Sequence, residues 1–204
     1  MSKAPIIVWF RQDLRLSDNP ALHAAHQTGQ AIIPLYILDD VNAQNGNQDR
    51  KMGAASCVWL HHALESLNKD LKDALIRKKG DATKIIPALM KETGAKAIYW
   101  NRCYEPWRID RDKNIKTDLE EQDIDVHSFN GSLLWEPWHI KTQGGTPYKV
   151  FTPFYRKGCL QQPPPREPLP KPKKINLYDA LAIKSDALSL LCLLYTSPSP
   201  RDRG

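Results

Sequence analysis

What most limits the folds open to this chain is a regular alternation over its first 130 residues: short β-branched runs exchange with segments of helical periodicity. Ile6-Ile7-Val8-Trp9-Phe10 is apolar at every position, and residues 31–38 form a second run of the same kind. A strand with one face in water alternates apolar and polar residues, so unbroken runs belong to strands covered on both faces, as in parallel sheets. Between the two runs, Ser17-Asp18-Asn19-Pro20 reads as a helix start, a capping side chain followed by a proline in the first turn. That helix extends to about Gln27, with Ala21, Leu22, Ala24 and Ala25 as packing candidates, and Thr28-Gly29 ends it. From Gly53 to about Lys72 the apolar residues Val58, Leu60, Leu64, Leu67 and Leu71 recur at spacings of three and four, which predicts an amphipathic helix. Ala74-Leu75-Ile76 predicts a third strand, mainly because the alternation requires one. A helix over residues 82–91 closed by Thr93-Gly94, a fourth strand over 96–100, a charged helix over 107–122 and a fifth strand over 126–129 complete the series.

Five such exchanges with short connections predict an α/β fold, a doubly wound, mostly parallel five-stranded sheet of Rossmann-like type. Ligands of such sheets bind beyond the carboxyl ends of the strands, near the reversal of strand order. Here those ends are Phe10-Arg11, Leu38-Asp39 and Trp100-Asn101.

After Phe129 the alternation stops. Residues 1–134 are therefore expected to form the α/β domain, and 135–160 an irregular closing segment punctuated by Gly144-Gly145-Thr146-Pro147 and Pro153 and rich in aromatic residues. Proline and lysine dominate residues 161–176, the composition of an extended, semi-rigid linker. Residues 177–191 then read as the start of a further, helical domain, with Leu188-Ser189-Leu190-Leu191 able to open a helix. Residues 192–204 have the look of translated read-through and are read as a non-native tail. Residues 42–50 form a polar loop with no reason to pack.

With 41% hydrophobic and 25% charged residues, the chain has the make-up of a soluble globular protein. Its net charge of +6 lends slight support to a polyanionic partner. Cys57, Cys103, Cys159 and Cys192 have no ligand spacing and read as reduced thiols, and His61-His62 and the other histidines lack metal spacing. Met-Ser-Lys-Ala-Pro runs straight into a strand, unlike a secretory signal, and the longest apolar run, residues 188–195, is too short to span a bilayer. A cytoplasmic protein with no membrane partner is expected. Neither a Walker loop nor GxGxxG is present.

A longer pattern is more specific. Val8-Trp9-Phe10-Arg11-Gln12-Asp13-Leu14-Arg15-Leu16-Ser17-Asp18-Asn19-Pro20-Ala21-Leu22 resembles WFRxDLRLxDNxAL, the opening motif of the photolyase/cryptochrome family. Tyr99-Trp100-Asn101 with Tyr104-Glu105-Pro106 and Arg111-Asp112 is similar to that family's fourth strand and following turn. Phe129-Asn130-Gly131-Ser132-Leu133-Leu134 is similar to its next segment, and Gly145-Thr146-Pro147-Tyr148-Lys149-Val150-Phe151-Thr152-Pro153-Phe154 to its GxPYxVFTPF element. The resemblance implies a two-domain repair enzyme or blue-light receptor. Its amino-terminal α/β domain would hold a light-harvesting antenna, methenyltetrahydrofolate or a deazaflavin, in a cleft shared with the second domain. That helical domain would bind FAD, receive a pyrimidine dimer flipped out of damaged DNA and split it by electron transfer. The family's FAD- and dimer-binding motifs belong to the helical domain and are not found in this sequence.

On this reading the chain is the amino-terminal part of a monomeric deoxyribodipyrimidine photo-lyase, a carbon–carbon lyase, and is inactive alone. A signalling cryptochrome shares the fold. A stand-alone nucleotide- or cofactor-binding module is a further alternative, against which the aromatic segment and proline-rich linker speak. A DNA-binding module acting through charge is another, opposed by lysines dispersed over the helices rather than clustered.

Candidate antenna-binding residues follow from the strand ends and the resemblance. Arg11 and Asp13, with Arg15, either wall the cleft or form an ion-pair network that fixes the loop. Ser17, Asp18 and Asn19 read as a helix cap. Tyr36, Ile37 and Leu38 either line the apolar part of the cleft or belong to the core. Arg50 and Met52 precede the long helix where the family often contacts its antenna, and a helix amino terminus suits an anionic tail; the other reading is a solvated arginine. Asn101, Cys103 and Glu105 follow the fourth strand, and a carboxylate there accepts hydrogen bonds from a pterin or serves structure. Folate-binding members carry Asn-Glu after the residue matching Pro106, whereas this chain has Trp107-Arg108, so the folate contact does not carry over directly and Trp107 offers a stacking face instead. The family's electron relay lies in the other domain, so Trp9, Trp59, Trp100, Trp135 and Trp138 are expected to be core and packing residues.

Overall fold

The structure, a computed structural model, describes residues 3–39, 52–179 and 183–191. Five strands, β1 (Ile6–Phe10), β2 (Ile32–Leu38), β3 (Ile76–Lys79), β4 (Ala97–Asn101) and β5 (Asp125–Phe129), form one sheet in the order β3-β2-β1-β4-β5 with every pairing parallel. Among the described residues four helices connect them: α1 (Pro20–Gln27), α2 (Ala54–Asp70), α3 (Ala82–Thr93) and α4 (Pro106–Glu120). The first connection builds the sheet outward from β1 to β2 and β3, and the crossover through α3 then returns to the other side of β1. The strand order therefore reverses between β1 and β4, where the strand ends part and leave a crevice.

Alternate residues of the central strands feed two cores. Ile6, Val8 and Phe10 pack with Leu22 and Ala25 of α1 and Cys57, Leu64 and Leu67 of α2. Ile7 and Trp9 pack with Ile86 and Leu89 of α3 and Ile115 and Leu119 of α4. Helices thus cover both faces, which is why β1 and β2 carry no polar side chain that needs water. Asn19 caps α1 by accepting from the Leu22 N–H at 3.1 Å, and Gly94 ends α3 in the left-handed region at φ 67°.

Pro34 stands inside β2 opposite Val8, an unusual place for a residue without an N–H. The N–H and C=O of Ile32 point away from β1, toward Asn176 and Tyr178 at 2.7 and 2.9 Å, and Pro34 shares that orientation by parity. Its missing donor falls on the side where β3 has not yet begun, since β3 pairs only from Leu35 onward.

Several elements differ from expectation. The third strand lies over Ile76–Lys79, two residues later than 74–76. It is the sheet edge, where charged residues are tolerated and discourage strand addition. Cys57, not Val58, occupies the buried stripe of α2. Trp9 and Trp100 are core residues, but Trp59 is 78% and Trp138 51% exposed, so neither packs inside. Trp135 is half-buried, its indole N–H bonded to the Pro163 carbonyl at 2.9 Å. A helical stretch over Phe151–Pro153 and Phe154–Cys159 interrupts the segment expected to be irregular, leaving Val150, Phe151 and Tyr155 exposed.

The proline-rich stretch lies against the sheet domain. The Asp18 N–H donates to the Leu169 carbonyl at 2.7 Å, and the Asp18 carboxylate accepts from the Leu169 N–H at 3.2 Å and from Arg166 at 2.6 Å. Leu177 bridges to Ile32. Farther on, Asp186 covers the β3 edge, donating its N–H to the Arg77 carbonyl and accepting from the Lys79 N–H at 2.9 Å. Leu188 and Leu190 are buried in the α1/α2 core, and Leu188-Ser189-Leu190-Leu191 forms no helix. Among the described residues no helix is long and apolar enough to cross a membrane. The expected tail over 192–204 and the polar loop over 42–50 lie outside the described residues.

Candidate functional site

The carboxyl ends of β1 and β2, the start of α2 and the turn into α4 enclose a cleft of about 550 Å³. Tyr36, Ile37 and Leu38 form its apolar floor with Leu14 and Leu60, and Trp9 and Trp107 contribute aromatic surface. Met52 and Ser56 close one side. Arg11, Gln12, Asp39, Glu105, Arg108 and Arg111 supply the polar wall. An apolar cavity with a few convergent polar groups is the usual form of a cofactor site.

The charges in this wall are paired across the fold. Arg11 bonds to Asp112 and to the Asn101 carbonyl. Arg111 bonds to Asp39 at 2.9 Å and to Asp112 at 2.7 Å. Three of the elements at the crevice are thereby tied together: the β1 end, the β2 end and α4. Guanidinium groups also stand over indoles. Arg111 lies 4.8 Å from the Trp9 ring centre and 5.2 Å from that of Trp107, and Arg11 lies 4.9 Å from Trp9. Such stacking is worth about 0.5–2 kcal/mol per contact.

Among the described residues, four polar atoms on side chains that line the cleft are buried without a hydrogen-bond partner: Trp9 Nε1, Arg11 Nε, Glu105 Oε2 and Arg108 Nε. Buried polar atoms are nearly always paired, because leaving one bare costs about 1–3 kcal/mol. Glu105 shows the arrangement best. Its Oε1 accepts from Gln12 at 2.8 Å, while its Oε2 has no hydrogen-bond partner among the described residues. Burial alone would raise the Glu105 carboxyl; its own backbone N–H, the Gln12 amide and the charges of Arg108 and Arg11 outweigh this and hold it below the ordinary carboxylate value. It is an ionised acceptor at neutral pH.

The structure brings Arg11, Tyr36, Ile37, Leu38, Met52, Glu105 and Trp107 together in the cleft. It sets Asp13, Asn101 and Cys103 apart. Asp13 accepts from the Arg11 N–H at 2.8 Å and from the side-chain amides of Asn19 and Asn101, so it shapes the loop after β1. Asn101 also bonds Asn19 and the Ala21 N–H, joining β4 to the start of α1. Cys103 is buried beneath the Arg108 guanidinium, its sulfur 3.5 Å from Nη1. Arg50 lies outside the described residues. Arg15 turns away from the cleft to the carbonyls of Asp18 and Gly131. Sequence reasoning placed Asp39 at a strand end facing the site without making it a candidate, and missed Gln12, Arg108 and Arg111 as cleft residues, the signal for Arg111 being the Arg111-Asp112 match to the family turn.

Residues 6–173 match the family model described as DNA photolyase. The chain is 40% identical over 201 residues to the deoxyribodipyrimidine photo-lyase of Agrobacterium fabrum, covering 97% of this chain and 40% of that protein. It is 37% identical over 187 residues to Cryptochrome-1 of Arabidopsis thaliana, covering 89% of this chain and 27% of the receptor. Among solved structures, a bacterial class III photolyase from Agrobacterium tumefaciens superposes with a TM-score of 0.84 at 40% identity, over 97% of this chain and 40% of that one. The chain therefore spans two fifths or less of the length of these relatives. Its parallel sheet, its motif at the β1 end and its match over most of its length together make this chain a member of the DNA photolyase family.

Proposed function

We propose that this chain is the amino-terminal, antenna-holding part of a deoxyribodipyrimidine photo-lyase, a light-driven enzyme that repairs cyclobutane pyrimidine dimers in damaged DNA. The observation that carries the reading is the cleft at the reversal of strand order, with aromatic and aliphatic walls and four buried, unpartnered polar atoms. These fit a flat heteroaromatic ring of the antenna class, methenyltetrahydrofolate or a deazaflavin. Glu105 would accept from a ring N–H, Trp9 and Arg108 would donate to ring carbonyls or nitrogens, and Trp107 would offer a stacking face. The bound antenna supplies the absorption of near-ultraviolet or blue light; the residues named here bind it, orient it and keep water from its ring.

FAD and the lesion belong to a helical domain following residues 161–176, and no residue of this chain is assigned to either. The parent acts as a cytoplasmic monomer. The test is direct. Purified chain is mixed with methenyltetrahydrofolate or with 8-hydroxy-5-deazariboflavin, freed of excess by gel filtration, and its near-ultraviolet absorbance read. One of the two is retained, and Glu105→Ala lowers retention about tenfold; equal retention by Glu105→Ala removes Glu105 from the site. The identity to Cryptochrome-1 favours a second reading, a blue-light receptor. The parent protein distinguishes them: illumination restores dimer-containing DNA if it is a photolyase and leaves the lesions intact if it is a cryptochrome.

A further inference from the structure

The helical stretch over Phe151–Pro153 and Phe154–Cys159 is packed the wrong way round for a chain that stands alone. Its small residues, Gly158 and Cys159, are the buried ones. A Cβ at Gly158 would stand 2.9 Å from Ile140 Cγ2 and 3.1 Å from a ring carbon of Tyr148, so this side lies against the segment before it. The large side chains face outward. Phe151 is 73% and Tyr155 47% exposed, and Val150, Phe154 and Leu160 are exposed with them. Phe151 and Tyr155, one helical turn apart, stack with ring centres 5.8 Å apart and planes 6° from parallel. A surface helix ordinarily turns such residues inward. Single exposed apolar side chains are common, but five within residues 150–160, two of them stacked, mark a surface that another covers.

The proline-rich stretch does not cover it. That stretch starts beside Leu160 but runs off to Asp18, through Arg166 and Leu169, and Leu177 bridges to Ile32. A second copy fits poorly. Residues 137–165 contain no acidic side chain, and Lys149, Arg156 and Lys157 are exposed around the face, so two copies meeting here would oppose like charges. A phosphate backbone would suit those cations but gains nothing from Val150 and Leu160. The photo-lyase of Agrobacterium fabrum is matched over 40% of its length, so most of such a protein lies outside the aligned part. We infer that the outward face of Val150, Phe151, Tyr155 and Leu160 is the docking surface for the helical domain of the parent protein. The surface it meets is apolar at its centre and acidic at its rim, opposite Lys149, Arg156 and Lys157. The inference rests on the chain being the amino-terminal part of a longer photo-lyase.

Hydroxyl-radical footprinting, which reads side-chain exposure, is run on the 204-residue chain and on the parent. Phe151 and Tyr155 are modified rapidly in the chain, and their rates fall about fivefold in the parent, as for residues in the core of an interface. Phe151→Ser combined with Tyr155→Ser leaves the urea midpoint of the chain unchanged, and in the parent it returns Val150 and Leu160 to the rates of the chain. Equal rates in chain and parent, with light-driven repair by the parent intact, overturn the inference and leave the proposed function standing. A lowered midpoint in the chain overturns it as well, because the face would then serve the chain's own fold. So does slow modification already in the chain, whether its own residues or a second copy, seen by sedimentation velocity, cover the face. Rates in the parent that fall only on adding duplex DNA give the face to nucleic acid and overturn it too. A parent with no helical domain after residues 161–176 overturns both the inference and the reading beneath it.

Discussion

Two polar clusters grow from the end of the same strand and have opposite characters. In the loop cluster, Asp13, Asn19 and Asn101 bond to one another and to the Arg11 and Ala21 N–H groups. In the cleft, Trp9, Glu105 and Arg108 each keep a buried polar atom with no partner. Among the described residues the first arrangement is complete, whereas the second leaves polar atoms unpaired. Sequence proximity does not separate them, because Arg11 serves both, its N–H bonded to Asp13 and its guanidinium in the cleft wall. Hydrogen-bond completeness does.

The comparison is broken most severely from the loop side. Asn101→Leu leaves the Ala21 N–H without its buried acceptor and takes one of Asp13's three donors, and the expected loss is about 2–4 kcal/mol of unfolding free energy, read by urea denaturation. Gly131→Ala attacks the same cluster by volume. A Cβ there would sit 2.6 Å from Asn101 Cγ, so the amide must shift, and a loss of about 1–3 kcal/mol is expected in the same measurement. On the cleft side the pattern inverts. Glu105→Ala removes an unpartnered carboxylate oxygen and a half-exposed bond to Gln12, so its unfolding free energy changes by less than about 1 kcal/mol while probe retention falls. A destabilisation by Glu105→Ala as large as that of Asn101→Leu would place both clusters in one structural class.

Much of this was legible in the sequence, for reasons that also mark where legibility ends. The β1 and β2 runs are apolar throughout because both sheet faces are covered, and that signal is local. The β3 edge carries Arg77, Lys78 and Lys79, which apolar pattern alone reads as a turn. Pro153 and Gly158 disguise the helical stretch between Phe151 and Cys159. At the site, Glu105 and Trp107 were found through a family turn, whereas the Arg111–Asp39 pair joins residues 72 positions apart and leaves no mark in spacing. Asp13 was read as a possible wall of the cleft because a charged residue beside Arg11 looks the same whether its bonds turn inward or toward a ligand.

The smallest effect lies where the loop cluster meets the proline-rich stretch. Asp18, at φ 46°, holds that stretch through Arg166 at 2.6 Å and the Leu169 N–H at 3.2 Å. Burial raises its carboxyl slightly, but the bonds from Arg166 and Leu169 and the charges of Arg166 and Arg15 prevail, so its pKa lies below the ordinary carboxylate value. A carboxyl depressed in the folded state contributes stability above its unfolded pKa and loses it as pH falls through the lower, folded value. Asp18 is well exposed to solvent, so the effect is local rather than global. Hydrogen exchange at the Leu169 amide, corrected for its intrinsic pH dependence, should therefore stay protected at neutral pH and lose protection only below the usual carboxylate range. Asp18→Asn, which keeps an acceptor but not the charge, should lose part of that protection at neutral pH with no measurable change in urea midpoint. Equal protection in Asp18→Asn would mean that an uncharged acceptor at this position holds the stretch as well, and that the charge of Asp18 adds nothing.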